Sequence, residues 1–506
     1  MSLSRTPDAP GVPGTPLYDT AALRALESAA IAQTGGDAGE LMARAGLAAW
    51  HVVLAHWPDA RRIVVVCGPG NNGGDGYVLA GHMQAAGRDV RVCRLDAHAP
   101  ATPIARRACD AFVAAGGRVD VIAAGIPDAD LVVDALFGIG LSRALDGEAA
   151  ALVEAINAAP VPVLALDVPS GFDADRGSAP GVAVHATRTV QFLGAHVGLQ
   201  TGDGGDHAGA LALATLEVPA SLYADVPVAA RCVSAADLGH WLRPRARNAH
   251  KGTSGRVLIV GGDAGKGGSV MLSATAALRS GAGLVTVATR APHVGALLAR
   301  CPEAMAVDVG SASALAQLLA GVDVVAIGPG LGQGAWGHGL YDEVLGSGAP
   351  LVMDADALNL LAASATPLAA RTVLTPHPGE AARLLGTTSA DVQRDRPAAV
   401  RALAARFGCT AVLKGAGTLV CVPGGVPWLV AAGNPGMAVG GMGDALTGCI
   451  AALRAQGLDS EAAAVCGALL HGVAGDTAAR DGGERGLLPS DLIAALRPLA
   501  NPGQGG

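Results

Sequence analysis

Residues 434–444, NPGMAVGGMGD, contain four glycines, no basic residue and a single closing carboxylate, Asp444, ahead of the apolar run ALTGCIAAL. At a helix start, the backbone N–H groups of Gly440, Gly441, Met442 and Gly443 can cradle a phosphoryl oxygen while Asp444 receives the proton of an attacking hydroxyl. Glycine suits that use because a Cβ would block the close approach. A glycine-rich helix start closed by an acid is also an ordinary cap, so the stretch alone leaves both readings open.

A second set of candidates lies in the first half. In CGPGNNGGDGYVLA, Gly68, Gly70 and Gly73 match the GxGxxG of a dinucleotide cradle, and Asp96 stands where such a fold places its ribose-binding acid. Asn71, Asn72 and Asp75 do not suit a pyrophosphate cradle, because a carboxylate beside the helix start competes with phosphate for the same N–H donors. Amide oxygens and carboxylates are what hard cations prefer, and Asp134 in VDALFGIG and Ser170 in DVPSG end other strands, so a cation could sit among them. Turn and capping duties are the alternative. Asp167 follows the apolar VPVLAL and precedes Pro169, a setting in which a carboxyl can serve proton transfer, or simply cap a loop.

In the second half, GGDAGKGGS is not a phosphate-binding GxxxxGK[ST] loop, since Val260 stands where the first glycine belongs and Gly267 where Ser or Thr belongs. Taken alone, Lys414 reads as a surface lysine and His377 as a loop histidine.

These residues need elements to position them. RIVVVC, VRVCRL, DLVVDALFG and VPVLAL are nearly continuous apolar strands alternating with helical stretches, the signature of a parallel sheet covered on both faces. The alternation lapses around residues 220–238 and restarts at GRVLIVGG, which divides the chain into domains 1–222 and 223–506. LVTVAT, VDVVAIGPGLG, PLVMDADAL and RTVLTPHPGEAARLLG repeat the pattern in the second half. TAVLKGAGTLVCVPGGVPWLVAAG reads as a small antiparallel ribbon. In such sheets ligands bind beyond the carboxyl ends of the strands, where the candidate residues lie.

Length and composition agree. A chain of 506 residues exceeds the ~250 at which a single core stops growing. With 51% hydrophobic and 15% charged residues it is built to fold. A net charge of −8 with no basic run and 3% aromatics excludes a nucleic-acid footprint. Nine scattered cysteines without a CxxC pair point away from disulfides and zinc, and to a cytoplasmic protein. The longest weakly polar run falls short of the ~20 residues of a membrane span, so no membrane partner is expected.

GPGNNGGDGYVLA, DALFGIGLSR and LDVPSG, in this order and spacing, resemble the NAD(P)H-hydrate epimerase family over about residues 17–220. The resemblance implies a Rossmann-like three-layer α/β/α sheet and a K⁺ ion held with Asn72, Asp134 and Ser170. It also implies substrate contacts from the loop Asn71, Asn72, Gly73, Gly74, Asp75 and from Gly138, Ile139, Gly140, Leu141, Ser142, Arg143 and Ala144, with Asp167 as catalytic acid/base.

GPGLG, DADALNLL, TPHPGEAARLLG, VLKGAGTLV and NPGMAVGGMGDALTG look like the ADP- or ATP-dependent NAD(P)H-hydrate dehydratases, a ribokinase-like α/β/α branch, over about residues 231–500. The resemblance implies that Lys414, Gly415, Ala416, Gly417, Thr418 and Gly443 line the nucleotide site. Gly330, His377 and Asp444 would face the hydrate, with Asp444 as base. The order of the fusion resembles the bacterial type that uses ADP, and the lack of a strong cation near the glycine loop calls for Mg²⁺. A homo-oligomer acting on NADHX and NADPHX is expected. Two rivals stand beside this reading: a ribokinase-like kinase of a sugar or vitamin alcohol, and a first half reduced to a binding scaffold.

Overall fold

The computed structural model describes residues 13–502 apart from 34, 124, 141–142 and 365–366. The chain divides into two compact units, Met1–Ala230 and Arg231–Gly506, so the observed division falls at Ala230, beyond the expected residue 222.

The N-terminal unit is built on a seven-stranded parallel sheet. Its spatial order is Arg118–Val121, Asp89–Arg94, Arg62–Cys67, Leu131–Ala135, Val163–Leu166, Arg188–Phe192 and Ala210–Ala214. In chain order this is 3-2-1-4-5-6-7, the doubly wound arrangement, with its switch between the first and fourth strands. Strand pleating explains the layers. Ile63, Val65 and Cys67 pack into one core with Leu131, Val133, Leu164 and Leu166, whereas Val64 and Val66 join Val132, Val163 and Ala165 in a second core on the opposite face. Helices Ala38–His56 and Asn71–Ala85 cover the first face, and Gly147–Ala158 lies in the second.

The C-terminal unit repeats the same order. Met305–Asp308, Leu284–Thr289, Arg256–Val260, Val324–Ile327, Leu351–Met353, Val373–Leu374 and Thr410–Leu413 run parallel. Thr418–Cys421 and Trp428–Val430 then add the antiparallel ribbon read from the sequence. Helix Met442–Ala455 packs between Gly267–Arg279 and Ser460–Gly482. Ser460–Gly482 is long and apolar enough to cross a membrane, but most of it is buried inside this unit.

One expectation changes. Asn71–Asp75 is not a loop but the opening of helix Asn71–Ala85. Its glycines serve close packing rather than flexibility: a Cβ on Gly73 would stand 2.0 Å from the Gly68 carbonyl oxygen. The helix can therefore begin directly against the strand that precedes it.

Candidate functional site

In the N-terminal unit a pocket of about 470 Å³ opens at the switch between the first and fourth strands. Asn71, Asn72, Asp75, Gly138, Ile139, Gly140 and Asp167 all line it. Four described candidates do not line it. Gly73 and Gly74 are buried beneath, with Gly74 against the Met42 side chain. Arg143 and Ala144 are exposed and outside the lining. Leu141 and Ser142 fall outside the described residues.

Asp167 is held by both its backbone and its side chain. Its backbone is left-handed, φ 67°, which a non-glycine residue adopts only when its surroundings impose it. Oδ2 accepts the Ile139 N–H at 3.0 Å, and Oδ1 faces His196 Nε2 at 3.4 Å. Burial pushes the carboxyls of Asp75 and Glu27 upward, and the charge of Asp167 adds to both shifts. Arg24 is the one basic side chain among the described residues of the lining.

Beside the pocket, Asp134 is fully buried and accepts the Ser170 hydroxyl at 2.6 Å and the Ser170 N–H at 2.8 Å. Burial raises its pKa to about 6 in spite of these donors. The Asn72 amide donates to the Leu166 carbonyl at 3.2 Å, while its Oδ1 is buried without a protein partner. An orphaned amide oxygen at a helix start and a carboxylate and hydroxyl at strand ends are the donor types that suit a hard cation.

The C-terminal unit gathers its candidates around Asp354, which follows strand Leu351–Met353 and had not been singled out. Asp354 accepts Lys414 Nζ at 2.6 Å and Thr447 Oγ1 at 3.0 Å. Burial opposes its ionisation, yet Lys414 and these donors hold the carboxyl below its usual range. Lys414 also stands 3.8 Å from Glu380. Burial works against its charge, but Asp354 and Glu380 outweigh it and the ammonium is held above its ordinary value. This corrects the expectation that no strong cation stands near the glycine loop: a Cβ on Gly443 would lie 3.1 Å from Lys414 Nζ. The lysine arrives from a strand end distant in sequence.

Gly441 caps helix Met442–Ala455 in the left-handed region, φ 97°, where an L side chain is disfavoured. Asp444 lies in the first turn. Burial, then the neighbouring Asp354, raise its pKa to about 6, partly offset by Ser269 and Lys414. Gly330 packs against Lys266 and Ser269, which ties its loop to the Asp444 side. His377 caps helix Pro378–Leu385, its Nδ1 accepting the Gly379 N–H at 3.0 Å while Glu380 returns a bond to its backbone N–H at 2.8 Å. Gly415, Ala416, Gly417 and Thr418 form the turn after Lys414, with Gly415 and Ala416 exposed. Beneath that turn lies Arg396, fully buried, whose Nη2 donates to the carbonyls of Leu413, Lys414 and Gly417.

Comparison with known proteins fits both halves. The NAD(P)H-hydrate dehydratase family matches residues 257–498, and the YjeF-related protein N-terminus matches residues 38–198. The bifunctional NAD(P)H-hydrate repair enzyme Nnr of Escherichia coli K12 is 43% identical over 464 residues, 92% of this chain and 90% of that protein. The chain belongs to the bifunctional NAD(P)H-hydrate repair enzyme family. The Coxiella burnetii member is 44% identical over 491 residues, covering 96% of this chain and all of its own. A solved ribokinase-like superfamily protein of Enterococcus faecalis is 33% identical, with a TM-score of 0.50, and covers 54% of this chain and 95% of that one.

In this repair-enzyme chain, sequence reasoning missed Arg24, Glu27, His196, Asp354, Glu380, Thr447 and Arg396. Two had a signal. Glu380 stands three residues after His377, the spacing of a reciprocal helix cap, and Asp354 ends an apolar strand in the DADALNLL stretch. The others reach their sites only through tertiary packing.

Proposed function

We infer that the N-terminal unit interconverts the R and S hydrates of NADH and NADPH, and that the C-terminal unit dehydrates the S hydrate, with the residue roles set out below. Hydration destroys the hydride donor and leaves two epimers at the carbon bearing the hydroxyl. A pocket shaped for one configuration leaves the other behind unless it is interconverted, which accounts for two activities in one chain.

In the C-terminal unit Asp444 accepts the proton of that hydroxyl as its oxygen attacks the terminal phosphorus of the nucleotide. The N–H groups at the Gly441–Gly443 helix start and the Lys414 ammonium stabilise charge on the transferred phosphoryl group. The ring nitrogen then expels phosphate, a far better leaving group than hydroxide, and loss of a proton from the neighbouring ring carbon restores the dihydropyridine. The observation that carries this assignment is Asp444 itself: a carboxyl near pH 6 on the first turn of a helix whose cap is left-handed. Lys414 to Thr418 and Gly443 line the nucleotide, and Gly330 and His377 face the hydrate. ADP is the donor we assign, on the order of the fusion. Among the described residues no three His, Cys, Asp or Glu side chains converge as a metal cage. Mg²⁺ would therefore be carried on the nucleotide phosphates, as its water-retaining coordination favours.

In the N-terminal unit Asp167 takes the hydroxyl proton as the ring C–N bond of the hydrate opens to an aldehyde and passes it to the ring nitrogen; the nitrogen re-adds to the other face, the proton returns to oxygen, and the carbon is inverted. Asn71, Asn72, Asp75 and Gly138 to Gly140 enclose the ring. Asn72, Asp134 and Ser170 would hold K⁺, which supplies a fixed positive charge beside the reacting group.

The test is recovery of reduced-nicotinamide absorbance from mixed NADH-hydrate epimers with Mg²⁺, K⁺ and either ADP or ATP. Full recovery is expected, with ADP the effective donor. Recovery that stops at one epimer would remove the epimerase assignment, and a stable phosphorylated product would turn the C-terminal unit into a small-molecule kinase.

A further inference from the structure

His196 belongs to none of the motifs that carry the reading above, yet among the described residues it is the one side chain that faces Asp167 Oδ1 within hydrogen-bond distance. It lies in the two-residue strand Ala195–His196, paired in parallel with Thr15–Tyr18 so that His196 stands opposite Tyr18. Its backbone N–H donates to Gln191 Oε1 at 2.7 Å, and the strand follows a turn in which Leu193 adopts a φ of 65°. The imidazole is fully buried. A buried ring fixed from its backbone on both sides has little freedom to look for another partner.

The two ring nitrogens are in unequal positions. Nε2 faces the Asp167 carboxylate at 3.4 Å, while Nδ1 is buried with no protein partner. A proton on Nδ1 would be a buried, unsatisfied donor, which costs about 1–3 kcal/mol, and would leave a bare Nε2 lone pair facing the lone pairs of the Asp167 carboxylate. The ring therefore carries its proton on Nε2 and donates it to Asp167. The same asymmetry excludes a proton relay, because a proton passed through the ring would leave from Nδ1 into apolar protein.

We propose that His196 is a positioning residue for epimerisation: its Nε2–H holds Asp167 Oδ1 so that the carboxylate stays turned into the pocket, with Ile139 N–H fixing the other oxygen. The left-handed backbone of Asp167 makes such a hold necessary, since a strained residue keeps its geometry only while its neighbours over-determine it. Glu27 and Asp75 face the same carboxylate from the other elements of the pocket, and Arg24 lies against Glu27 and donates to the Ile139 carbonyl at 3.1 Å. None of these donates to Oδ1. The proposal rests on Asp167 being the epimerisation acid/base.

The experiment compares His196→Leu, His196→Gln and Asp167→Asn in the full chain, measuring conversion of the R hydrate and, on the same samples, dehydration of the S hydrate. The second rate reports whether the C-terminal unit has folded, and an unchanged KM for the R hydrate reports whether the N-terminal pocket has. His196→Leu is expected to lower kcat for epimerisation about 10²-fold, the cost of a misplaced catalytic group, with KM and S-hydrate dehydration little changed. Glutamine places an amide N–H near the Nε2 position and should restore most of the rate. Epimerisation by His196→Leu at the unaltered rate overturns the proposal, as does a glutamine variant no better than leucine, which would mean that packing is all the ring supplies. Asp167→Asn is expected to lower epimerisation by about 10²-fold or more. If that variant epimerises at the unaltered rate, the reading beneath the proposal fails; if it loses that rate while His196→Leu is unaffected, only the positioning role falls.

Discussion

The two units share one strand order and place an aspartate immediately after the fifth strand, but they use that aspartate in opposite ways. In the N-terminal unit it is Asp167, left-handed and lining an open pocket. In the C-terminal unit, counting from Arg256–Val260, it is Asp354, buried beneath Lys414 and Thr447 and held ionised by them. There the strain has moved one residue on, to Ala355 with a φ of 49°, and the carboxyl free for chemistry is Asp444, on a helix from elsewhere in the chain. A strand end in a doubly wound sheet is thus a place where an acid can be presented, and its neighbours decide whether it reacts or serves as a counter-ion.

The largest break in the comparison comes from Asp444→Asn, which should lower S-hydrate dehydration by about 10³-fold, within the range for a lost general base, and leave epimerisation intact. Absorbance recovery from the S hydrate measures the first, and R-to-S conversion followed by chromatography the second. Asp167→Asn should do the converse, lowering R-to-S conversion by about 10²-fold or more. Dehydration of a mixed sample would then stall once the S hydrate is consumed. Loss of both activities in either variant would contradict two independent sites.

A smaller effect separates the acids by stability. The folded chain keeps a proton on Asp444 up to about pH 6, whereas the unfolded chain releases it near the ordinary carboxyl value of 3.8. Stability therefore falls as pH rises through that window, and the full penalty, about 2–3 kcal/mol, stands above it. Asp444→Asn should remove that penalty: denaturant unfolding of the C-terminal unit at pH 8 should show a gain of about that size, which disappears toward pH 4. An equal gain at both pH values would mean that the gain comes from packing. The same titration governs rate. Only the ionised base accepts the proton, so kcat/KM for dehydration should drop about tenfold per unit as pH falls below about 6 and level off above it. An acid limb lying two units lower would remove Asp444 as the titrating base.

Much of this was legible before any coordinates. Strand after strand announces itself through Val, Leu and Ile runs, since a strand covered on both faces needs no alternation, and the two acids proposed to react stand at the ends of elements that the sequence marks clearly. What was hidden has a common cause. His196 lies 29 residues from the carboxylate it faces, and Lys414 60 residues from Asp354. No local spacing encodes contacts that exist only once parallel strands have been brought side by side. The first glycine motif hides a different demand: Gly73 lets its helix begin close against the Gly68 backbone at the strand's end, and Gly74 lets it pass the Met42 side chain, needs visible only in the packed layers.

Arg396 sits beneath the Lys414–Thr418 turn and draws three main-chain carbonyls toward itself. In a trans peptide the C=O and the following N–H point in opposite directions, so pulling the Lys414 oxygen inward turns the Gly415 N–H outward. A buried cation thereby sets the polarity of the exposed turn above it: acceptors below, a donor above. Replacing the guanidinium with a neutral side chain would leave the carbonyls without their common anchor and let the turn's dipoles reorient, so that the same glycines in the same place could present oxygen to an incoming anion.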